Sequence, residues 1–321
     1  MIELPPLDAR IPAWDVSDLV ERTCPVCGQG GAEPEARRPD GLIVRRCADC
    51  TTFYVSPAPS EAQLDAFYAR YDEQHRRDAE MSADELLRQY RRIPEGEDLR
   101  LRELASIRSL AGARVLDVGF GRARMLFEVQ RMGAEAHGVE LDDRALELAR
   151  ALGIPRVTKG TLQGLPAEAR YDVILLCDLI EHPLDPLSLL RAAADRLAPG
   201  GLVLVSTPNG SAAEREREPT TFRVDLEHMQ YFTPASLGHA AAGLGLSIVH
   251  LETFGFADLA GIDRPRGAGP GAVARIKLLL RALPGFAALA RTRRALVPGA
   301  TPDERDGVFK LFALLEKPRK R

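Results

Sequence analysis

Arg114-Val-Leu-Asp-Val-Gly-Phe-Gly121 is the part of this 321-residue sequence that says most about its fold. Residues 114–118 are a short apolar run of the kind that forms a strand, and the pattern of residues 125–132 is helical. Between them lie two glycines, which permit a tight turn and keep side chains out of the path of a ligand. In open α/β sheets, ligands bind at such turns, at the carboxyl ends of the strands. The stretch therefore predicts an α/β fold with a binding site at Gly119 and Gly121.

Strands and helices alternate through the region that follows. The other predicted strands are residues 136–139, 156–159, 171–176, 202–206 and 247–252, and helices are predicted at 145–152 and 187–197. These strands are apolar without polar alternation, which is typical of parallel strands covered by helices on both faces. We therefore predict a doubly wound, mostly parallel sheet.

Four of the five cysteines lie in two C-x-x-C pairs near the N-terminus. Cys24 and Cys27 form the first pair, and Cys47 and Cys50 follow after 19 residues. Each pair can place two thiolates on a tight turn, and two such turns complete a tetrahedral zinc site. Strand patterns before and after the second pair make the segment resemble a zinc ribbon. Four thiolates leave no open coordination position, so we expect a structural zinc ion. The alternatives are unlinked buried cysteines or two disulfides. The fifth cysteine, Cys177, lies in an apolar run and is predicted to be a core residue.

Further motifs follow the glycine turn. Glu140 ends the next predicted strand, 19 residues after Gly121, where a carboxylate can bind both hydroxyls of a ribose. The whole set comprises Val115-Leu-Asp-Val-Gly-Phe-Gly121, Gly138-Val-Glu140, Tyr171-Asp-Val-Ile-Leu-Leu-Cys-Asp-Leu-Ile-Glu-His182 and Leu197-Ala-Pro-Gly-Gly-Leu202. In combination these motifs resemble those of class I S-adenosylmethionine-dependent methyltransferases, over roughly residues 95–260.

The resemblance implies a Rossmann-like, seven-stranded sheet and S-adenosylmethionine as cofactor. By position, it assigns Asp117, Gly119 and Gly121 to the methionine end of the cofactor, Glu140 to the ribose, Thr161 and Leu162 to the adenine, and Asp178 and Leu179 to the methyl side. Ala123 is a departure, because members of the family often have a glycine there. Arg124 stands where a dinucleotide-binding fold needs its third glycine, which argues against a dehydrogenase.

The patterns divide the chain into three regions. Residues 20–57 are the predicted zinc ribbon, 58–110 a helical connector, and 111–321 the methyltransferase domain. We expect residues 307–317 to form the last strand, at an antiparallel edge of the sheet. Residues 262–305 are then a basic helical insertion before that strand.

Two histidines are candidates for the general base that an oxygen nucleophile needs. Glu181-His182 follows the fourth strand, which in the family faces the methyl group of the cofactor. His228 lies in Asp225-Leu-Glu-His228-Met-Gln-Tyr-Phe-Thr-Pro234, which resembles the segment after the fifth strand in small-molecule methyltransferases related to the ubiquinone-biosynthesis O-methyltransferases. Glu181, His182 and His228 are therefore the candidate catalytic residues. The alternative is that each histidine only caps a turn or forms a local hydrogen bond.

The sequence leaves two classes of acceptor open. Amino-methyltransferases of nucleic acids commonly carry (Asp/Asn)-Pro-Pro-(Tyr/Phe) after the fourth strand, where this chain has Cys177-Asp-Leu-Ile-Glu-His182. Methyltransferases headed by a zinc ribbon also resemble enzymes that modify sugars, so we expect transfer to a hydroxyl or carbon of a small-molecule or glycan-type acceptor. The alternative is a zinc-headed protein that binds or modifies RNA, although basic clustering in the ribbon is limited to Arg37-Arg38 and Arg45-Arg46.

Charge is distributed unevenly along the chain. The formal net charge is −3, and this near balance argues against a protein that coats nucleic acid. Residues 261–321, however, hold 14 Lys and Arg residues against 5 Asp and Glu residues. Within them, residues 272–294 have the pattern of a basic amphipathic helix. Such a helix either lies at a membrane surface, which would suit a lipid-linked acceptor, or packs on the sheet as a lid.

The sequence predicts a cytoplasmic protein. It has no run of about 18 apolar residues, the length that a membrane-spanning helix needs. Residues 1–10 lack the basic and apolar segments of an export signal. Paired metal-binding cysteines also indicate a reducing compartment. If residues 272–294 lie at a membrane surface, the protein is cytoplasmic but peripheral to the membrane.

The cysteine pairs predict about one zinc ion per chain. Cys24→Ser removes one of the four ligands and is expected to abolish most of the zinc content of the purified protein, measured by mass spectrometry of the metal. Cys177→Ser is the matched control and should retain the zinc. Wild-type protein without zinc, or a Cys24→Ser variant that keeps it, would contradict the assignment.

Overall fold

The chain begins with a small sheet built from short strands. This is a computed structural model, and the residues it describes are 1–7, 11–69, 82–255 and 308–319. The first six strands are β1 (Ile2–Glu3), β2 (Leu19–Val20), β3 (Glu33–Arg37), β4 (Ile43–Arg46), β5 (Phe53–Val55) and β6 (Ala58–Pro59). Strands β1, β3, β4 and β5 are successive neighbours in one sheet, and β2 pairs with β6. The two strands predicted beside the second cysteine pair are β4 and β5.

Among the described residues, three helices follow, which are α1 (Glu61–Tyr68), α2 (Ala83–Arg92) and α3 (Leu99–Ile107). Each begins at a side-chain cap, because Ser60, Ser82 and Asp98 accept hydrogen bonds from backbone N–H groups of the first turn. These caps satisfy donors that a helix start leaves unpaired. Buried residues of α2 and α3, including Tyr90 and Leu104, pack into the core beside the larger sheet.

The larger sheet has seven strands. The remaining elements, in chain order, are β7 (Arg114–Val118), α4 (Arg124–Arg131), β8 (Glu135–Glu140), α5 (Asp143–Ala151), β9 (Val157–Lys159), β10 (Tyr171–Cys177), α6 (Pro186–Arg196), β11 (Leu197–Pro208), β12 (Gln230–Tyr231), α7 (Pro234–Gly243), β13 (Ser247–Phe254) and β14 (Lys310–Glu316). The spatial order is β13-β14-β11-β10-β7-β8-β9. Neighbouring strands are parallel except for β14, which is antiparallel to both β11 and β13.

Helices cover both faces of this sheet. Leu116 and Ile174 belong to one core cluster, together with residues of α6 and α7. Val115 and Val173, one position earlier on the same strands, belong to a second cluster with residues of α4 and α5. Successive side chains of a strand point to opposite faces, so the apolar strands supply two cores. The prediction of a doubly wound, mostly parallel α/β fold is confirmed.

Strand β14 departs from the prediction in its position. It is antiparallel, as expected, but it lies between β11 and β13, and the prediction of an edge strand is wrong. Residues 311–315 are fully buried, and the strand is hydrogen-bonded on both sides. Five consecutive apolar residues are typical of an interior strand, because edge strands usually carry charged or polar residues.

Strand β12 connects the two parts of the molecule. It comes after β11 in the chain but pairs antiparallel with β5, with Tyr231 opposite Phe53. The small sheet therefore has the order β1-β3-β4-β5-β12 and contains residues from outside the predicted ribbon. The boundaries 20–57, 58–110 and 111–321 stay predictions, and the predicted insertion at 262–305 lies outside the described residues. Among the described residues, we find no helix with the length and apolar character needed to cross a bilayer.

Candidate active site

The glycine turn after β7 is in contact with the turn after β10. Gly119 and Gly121 have φ angles of +67° and +49°, in the left-handed region that favours glycine. A Cβ atom at Gly119 would lie 3.3 Å from Cδ1 of Leu179. The missing side chain thus lets two of the motifs quoted above approach each other at the carboxyl edge of the sheet.

Glu140, at the end of β8, is held beside the glycine turn by backbone groups. Its Oε2 accepts a hydrogen bond from the N–H of Gly121 at 3.0 Å, and its Oε1 accepts from the N–H groups of Leu141 at 2.7 Å and Asp142 at 3.2 Å. A carboxylate has about four acceptor positions, so one of them remains for a ribose hydroxyl.

Two ionisable groups, a carboxyl and a guanidinium, lie near this turn. Asp117 is buried at the end of β7, and burial raises its pKa to about 8, with Glu140 adding to the rise and Arg100 opposing it. Arg100 comes from α3, where it pairs with Asp98 at 2.8 Å and donates a hydrogen bond to Oγ of Ser206 at 3.2 Å. The site therefore contains a cation that can bind the carboxylate of an amino acid.

Ala123 is the departure from the family pattern, and its backbone shows the consequence. It stands immediately before α4 with a φ of +58° and makes no side-chain cap. An alanine in this region costs about 1–2 kcal/mol relative to an ordinary conformation. Its buried methyl group packs in the core, which offsets part of that cost.

The predicted adenine and methyl-side residues differ in accessibility. Thr161 is exposed after β9, whereas Leu162 is 1% exposed and packs in the core. Asp178 follows β10 with a φ of +52°, and its carboxylate forms an ion pair with Lys310 at 2.7 Å. The predicted core residue Cys177 is half-buried and packs against the second core cluster.

The three candidate catalytic residues lie together. Glu181 and His182 follow β10, and His228 lies between β11 and β12, yet one atom of each lies within 4.8 Å of the others. The two imidazole rings are 4.8 Å apart, and Nε2 of His228 is 3.9 Å from Oε1 of Glu181. Glu181 is fully buried and His228 is 5% exposed, while His182 is half-buried.

Two further residues contact this cluster. Thr207 on β11 donates a hydrogen bond to Oε2 of Glu181 at 3.0 Å. The hydroxyl of Tyr68 is 2.8 Å from Nδ1 of His182. Oε1 of Glu181 and Nδ1 of His228 are buried without a hydrogen-bond partner among the described residues. Buried polar atoms are normally paired, so these two atoms point to a place where a polar group can bind.

Burial controls the charge of the cluster. It lowers the pKa of His182 to about 3, with the neighbouring His228 adding to the effect, and it lowers the pKa of His228 to about 3, with Arg38 adding to it. Burial raises the pKa of Glu181 to about 8, with Asp178 adding to the rise. At neutral pH both imidazoles are therefore uncharged and the carboxyl group keeps its proton.

Arg100 and Tyr68 are the residues at this site that sequence reasoning missed. Arg100 shares α3 with the exposed Arg102, and nothing in the spacing of the two distinguishes one from the other. Tyr68 ends α1 next to Phe67, in a pattern that indicates packing. Both reach the site from helices that precede the seven-stranded sheet in the chain, Tyr68 from α1 and Arg100 from α3.

The four paired cysteines form a second cluster. The Sγ atoms of Cys24 and Cys50 are 3.4 Å apart, as are those of Cys27 and Cys47, and all four lie within 4.8 Å of one another. These distances are too long for disulfides and near the ~3.8 Å between sulfurs in a tetrahedral zinc site. Burial raises the pKa of the Cys24 thiol, so a bound metal is what would hold it as a thiolate.

The raised pKa of Asp117 predicts a pH-dependent loss of stability. A carboxyl with an ordinary pKa of 3.8 and a folded-state pKa of about 8 binds its proton more tightly in the folded protein. Its contribution is complete below the lower value and is lost as the pH rises through the higher one. Asp117→Asn cannot ionise, so its free energy of unfolding relative to wild type should rise by roughly 2–5 kcal/mol between these pH values, as measured by urea denaturation. A difference that does not change with pH would show that Asp117 is ionised in the folded protein.

Comparison with known proteins identifies the family. A family model described as a methyltransferase domain matches residues 74–251, more than half of the chain. A ubiquinone biosynthesis O-methyltransferase from Bordetella avium is 35% identical over 138 residues, which cover 41% of this chain and 54% of that protein. A protein of the same name from Nitrosospira multiformis is 29% identical over 182 residues, which cover 50% of this chain and 73% of that protein. The chain thus spans about half the length of the Bordetella relative.

Among solved structures, an S-adenosylmethionine-dependent methyltransferase from Archaeoglobus fulgidus aligns with 78% of this chain and all of its own, at 20% identity and a TM-score of 0.46. The family match covers the glycine turn, the carboxylate after β8 and the histidine after β10, which the structure brings to one edge of the sheet. The chain belongs to the methyltransferase-domain family.

Proposed function

We propose that this enzyme transfers the methyl group of S-adenosylmethionine to a hydroxyl group of a small-molecule acceptor. The observation that carries the proposal is the buried cluster of Glu181, His182 and His228 at the same sheet edge as the glycine turn. Its neutral imidazoles suit an acceptor that must lose a proton. The relatives named above are O-methyltransferases, which supports oxygen over carbon as the acceptor atom.

The residues around the glycine turn fit the cofactor. Glu140 is positioned to hold the ribose, and Asp117 and Arg100 to hold the amino and carboxylate groups of the methionine end. When bound, S-adenosylmethionine supplies a methyl group on a positively charged sulfur. Much of the acceleration in such a transfer comes from holding the acceptor oxygen in line with the bond between the sulfur and the methyl carbon.

We assign the general base to His182. Its half-buried ring is the more accessible of the two, whereas His228 is only 5% exposed. With Nδ1 donating to the hydroxyl oxygen of Tyr68, Nε2 keeps a lone pair and can accept the proton of the acceptor hydroxyl. The imidazole of His228 contacts the ring of His182 edge-on, with the ring centroids 4.8 Å apart.

The arginines of the small sheet argue against the RNA alternative. Arg38 is buried in an ion pair with Asp40, and Arg45 donates to backbone carbonyls of Ala32 and Ser56. The two more exposed arginines are also neutralised, because Arg37 pairs with Glu3 and Arg46 pairs with Glu214. Phosphate binding needs cations that are available to the ligand. Transfer to a glycan or lipid-linked acceptor stays a prediction. Membrane contact through residues 272–294 also stays a prediction, because these residues lie outside the described part of the chain.

The cofactor site predicts a loss of affinity in Glu140→Ala. Removing the carboxylate that is assigned to the ribose should raise the Kd of S-adenosylmethionine about 10- to 100-fold, measured by isothermal titration. Glu147→Ala, an exposed carboxylate on α5, is the matched control and should leave the Kd unchanged. If wild type does not bind S-adenosylmethionine, or if Glu140→Ala binds it equally well, the assignment of the site is wrong.

The assignment of His182 as the general base predicts which histidine substitution lowers kcat. His182→Gln should lower kcat by roughly 10²- to 10⁴-fold at an unchanged Kd for S-adenosylmethionine, while His239→Gln, an exposed histidine on α7, should not. The assay follows labelled methyl transfer to a panel of phenols, catechols and sugars. Because burial lowers the pKa of His182 to about 3, kcat should show no decrease near pH 6.5, where an ordinary histidine gains its proton. Full turnover by both His182→Gln and His228→Gln would exclude a histidine base.

A further inference from the structure

The segment that carries His228 is bound from the side of the small sheet β1-β3-β4-β5-β12, called here the cysteine-bearing sheet because Cys47 and Cys50 lie in the turn between β4 and β5. The side chain of Arg38, which follows β3, is fully buried. Its Nη1 donates to the carbonyl oxygen of His228 at 2.6 Å and to the hydroxyl of Tyr231 at 3.1 Å. Its Nη2 donates to the carbonyl oxygen of Leu226. One guanidinium therefore binds the backbone on both sides of residue 227.

Asp40 completes this arrangement. It accepts from Nε of Arg38 at 3.1 Å and from the indole N–H of Trp14 at 2.9 Å, and its side chain is fully buried. Bringing two charges out of water is costly, so such a pair adds little stability by itself. A planar guanidinium does, however, fix the relative positions of several acceptors at once. The guanidinium of Arg38, oriented by Asp40, thus holds acceptors at residues 226, 228 and 231 in fixed relative positions.

A second arginine ties this segment to the turn after β10. Nη2 of Arg22 donates to the carbonyl oxygen of Leu184 at 2.6 Å, and its Nη1 to that of Met229 at 3.4 Å. The N–H of Met229 donates to the carbonyl oxygen of Glu181 at 2.9 Å. The turns that carry His182 and His228 are therefore bound to each other, and both are bound by Arg22, which follows β2 of the two-stranded β2–β6 sheet.

We propose that Arg38 is a positioning residue of the active site, which holds the backbone at residues 226 and 228 and so sets the imidazole of His228 against Glu181 and His182. This role rests on the proposed function of the histidine cluster. It also gives the cysteine-bearing sheet a place in the site, as the support of its acceptor side.

The test uses the full-length double variant Arg38→Met with Asp40→Leu. It removes both charges together, because a single substitution would leave the partner charge buried and unpaired. The matched control is Arg37→Met, one residue earlier, whose side chain is 39% exposed and pairs with Glu3 at the surface. The readouts are amide hydrogen exchange, the NMR titration of the His228 imidazole, and the Kd of S-adenosylmethionine. The His228 signal is assigned with His228→Gln.

In the double variant, exchange at residues 225–231 should become at least about tenfold faster, and the pKa of His228 should rise towards its ordinary value. Exchange in β7 and β10 and the Kd should stay unchanged, and Arg37→Met should match wild type throughout. Unchanged exchange at 225–231 would overturn the proposal even if the His228 titration shifts, because loss of the Arg38 charge by itself raises the pKa of His228.

A second variant covers the case in which the double variant does not fold. Arg38→Lys keeps the charge beside Asp40 but lacks the planar fork that binds several acceptors, so it should speed exchange at 225–231 in the same way. If it leaves that exchange at the wild-type rate, Arg38 has only a folding role. These readouts need no methyl acceptor. Failure of the proposed function would instead appear as absent cofactor binding in wild type.

Discussion

The pairing of β12 with β5 joins the cysteine-bearing sheet to the methyltransferase body. Although β12 is only two residues long, its neighbourhood leaves little freedom. A Cβ atom at Gly210 would lie 2.8 Å from the carbonyl oxygen of Tyr231 and 3.1 Å from a ring carbon of Phe53. At the next turn, the hydroxyls of Thr51 and Thr233 are 2.7 Å apart. Because the chain between β11 and α7 is fixed here, the segment carrying His228 has a defined place.

Burying a polar cluster at such a junction has an energetic cost. Glu181, His182 and His228 lose solvation, which appears as one raised and two lowered pKa values. The buried pair of Arg38 and Asp40 adds a similar cost beneath them. The apolar cores on both faces of the seven-stranded sheet supply the stability that offsets these costs. Stability and chemistry are thus divided between the centre of the sheet and its carboxyl edge.

The sequence predicts the parts of this structure that depend on local patterns. Apolar runs gave the strands of the sheet, glycines marked the turn after β7, and C-x-x-C spacing grouped the cysteines. It placed β14 wrongly, because the order of strands depends on pairing between distant segments. It also missed Arg100, Tyr68 and the role of Arg38. Each of these side chains matters through a contact with a distant part of the chain, and no local spacing encodes such a contact.

The central claim is that the cysteine-bearing sheet supports the histidine-bearing turns. It is tested most directly by hydrogen exchange on a variant with Cys24→Ser and Cys50→Ser, which weakens that sheet at its cysteine cluster. We expect faster exchange at residues 22–55 and, together with them, at 181–184 and 225–231, while β7 and the affinity for S-adenosylmethionine stay as in wild type. Faster exchange confined to residues 22–55 would contradict the claim, because the turns would then hold their places without the sheet.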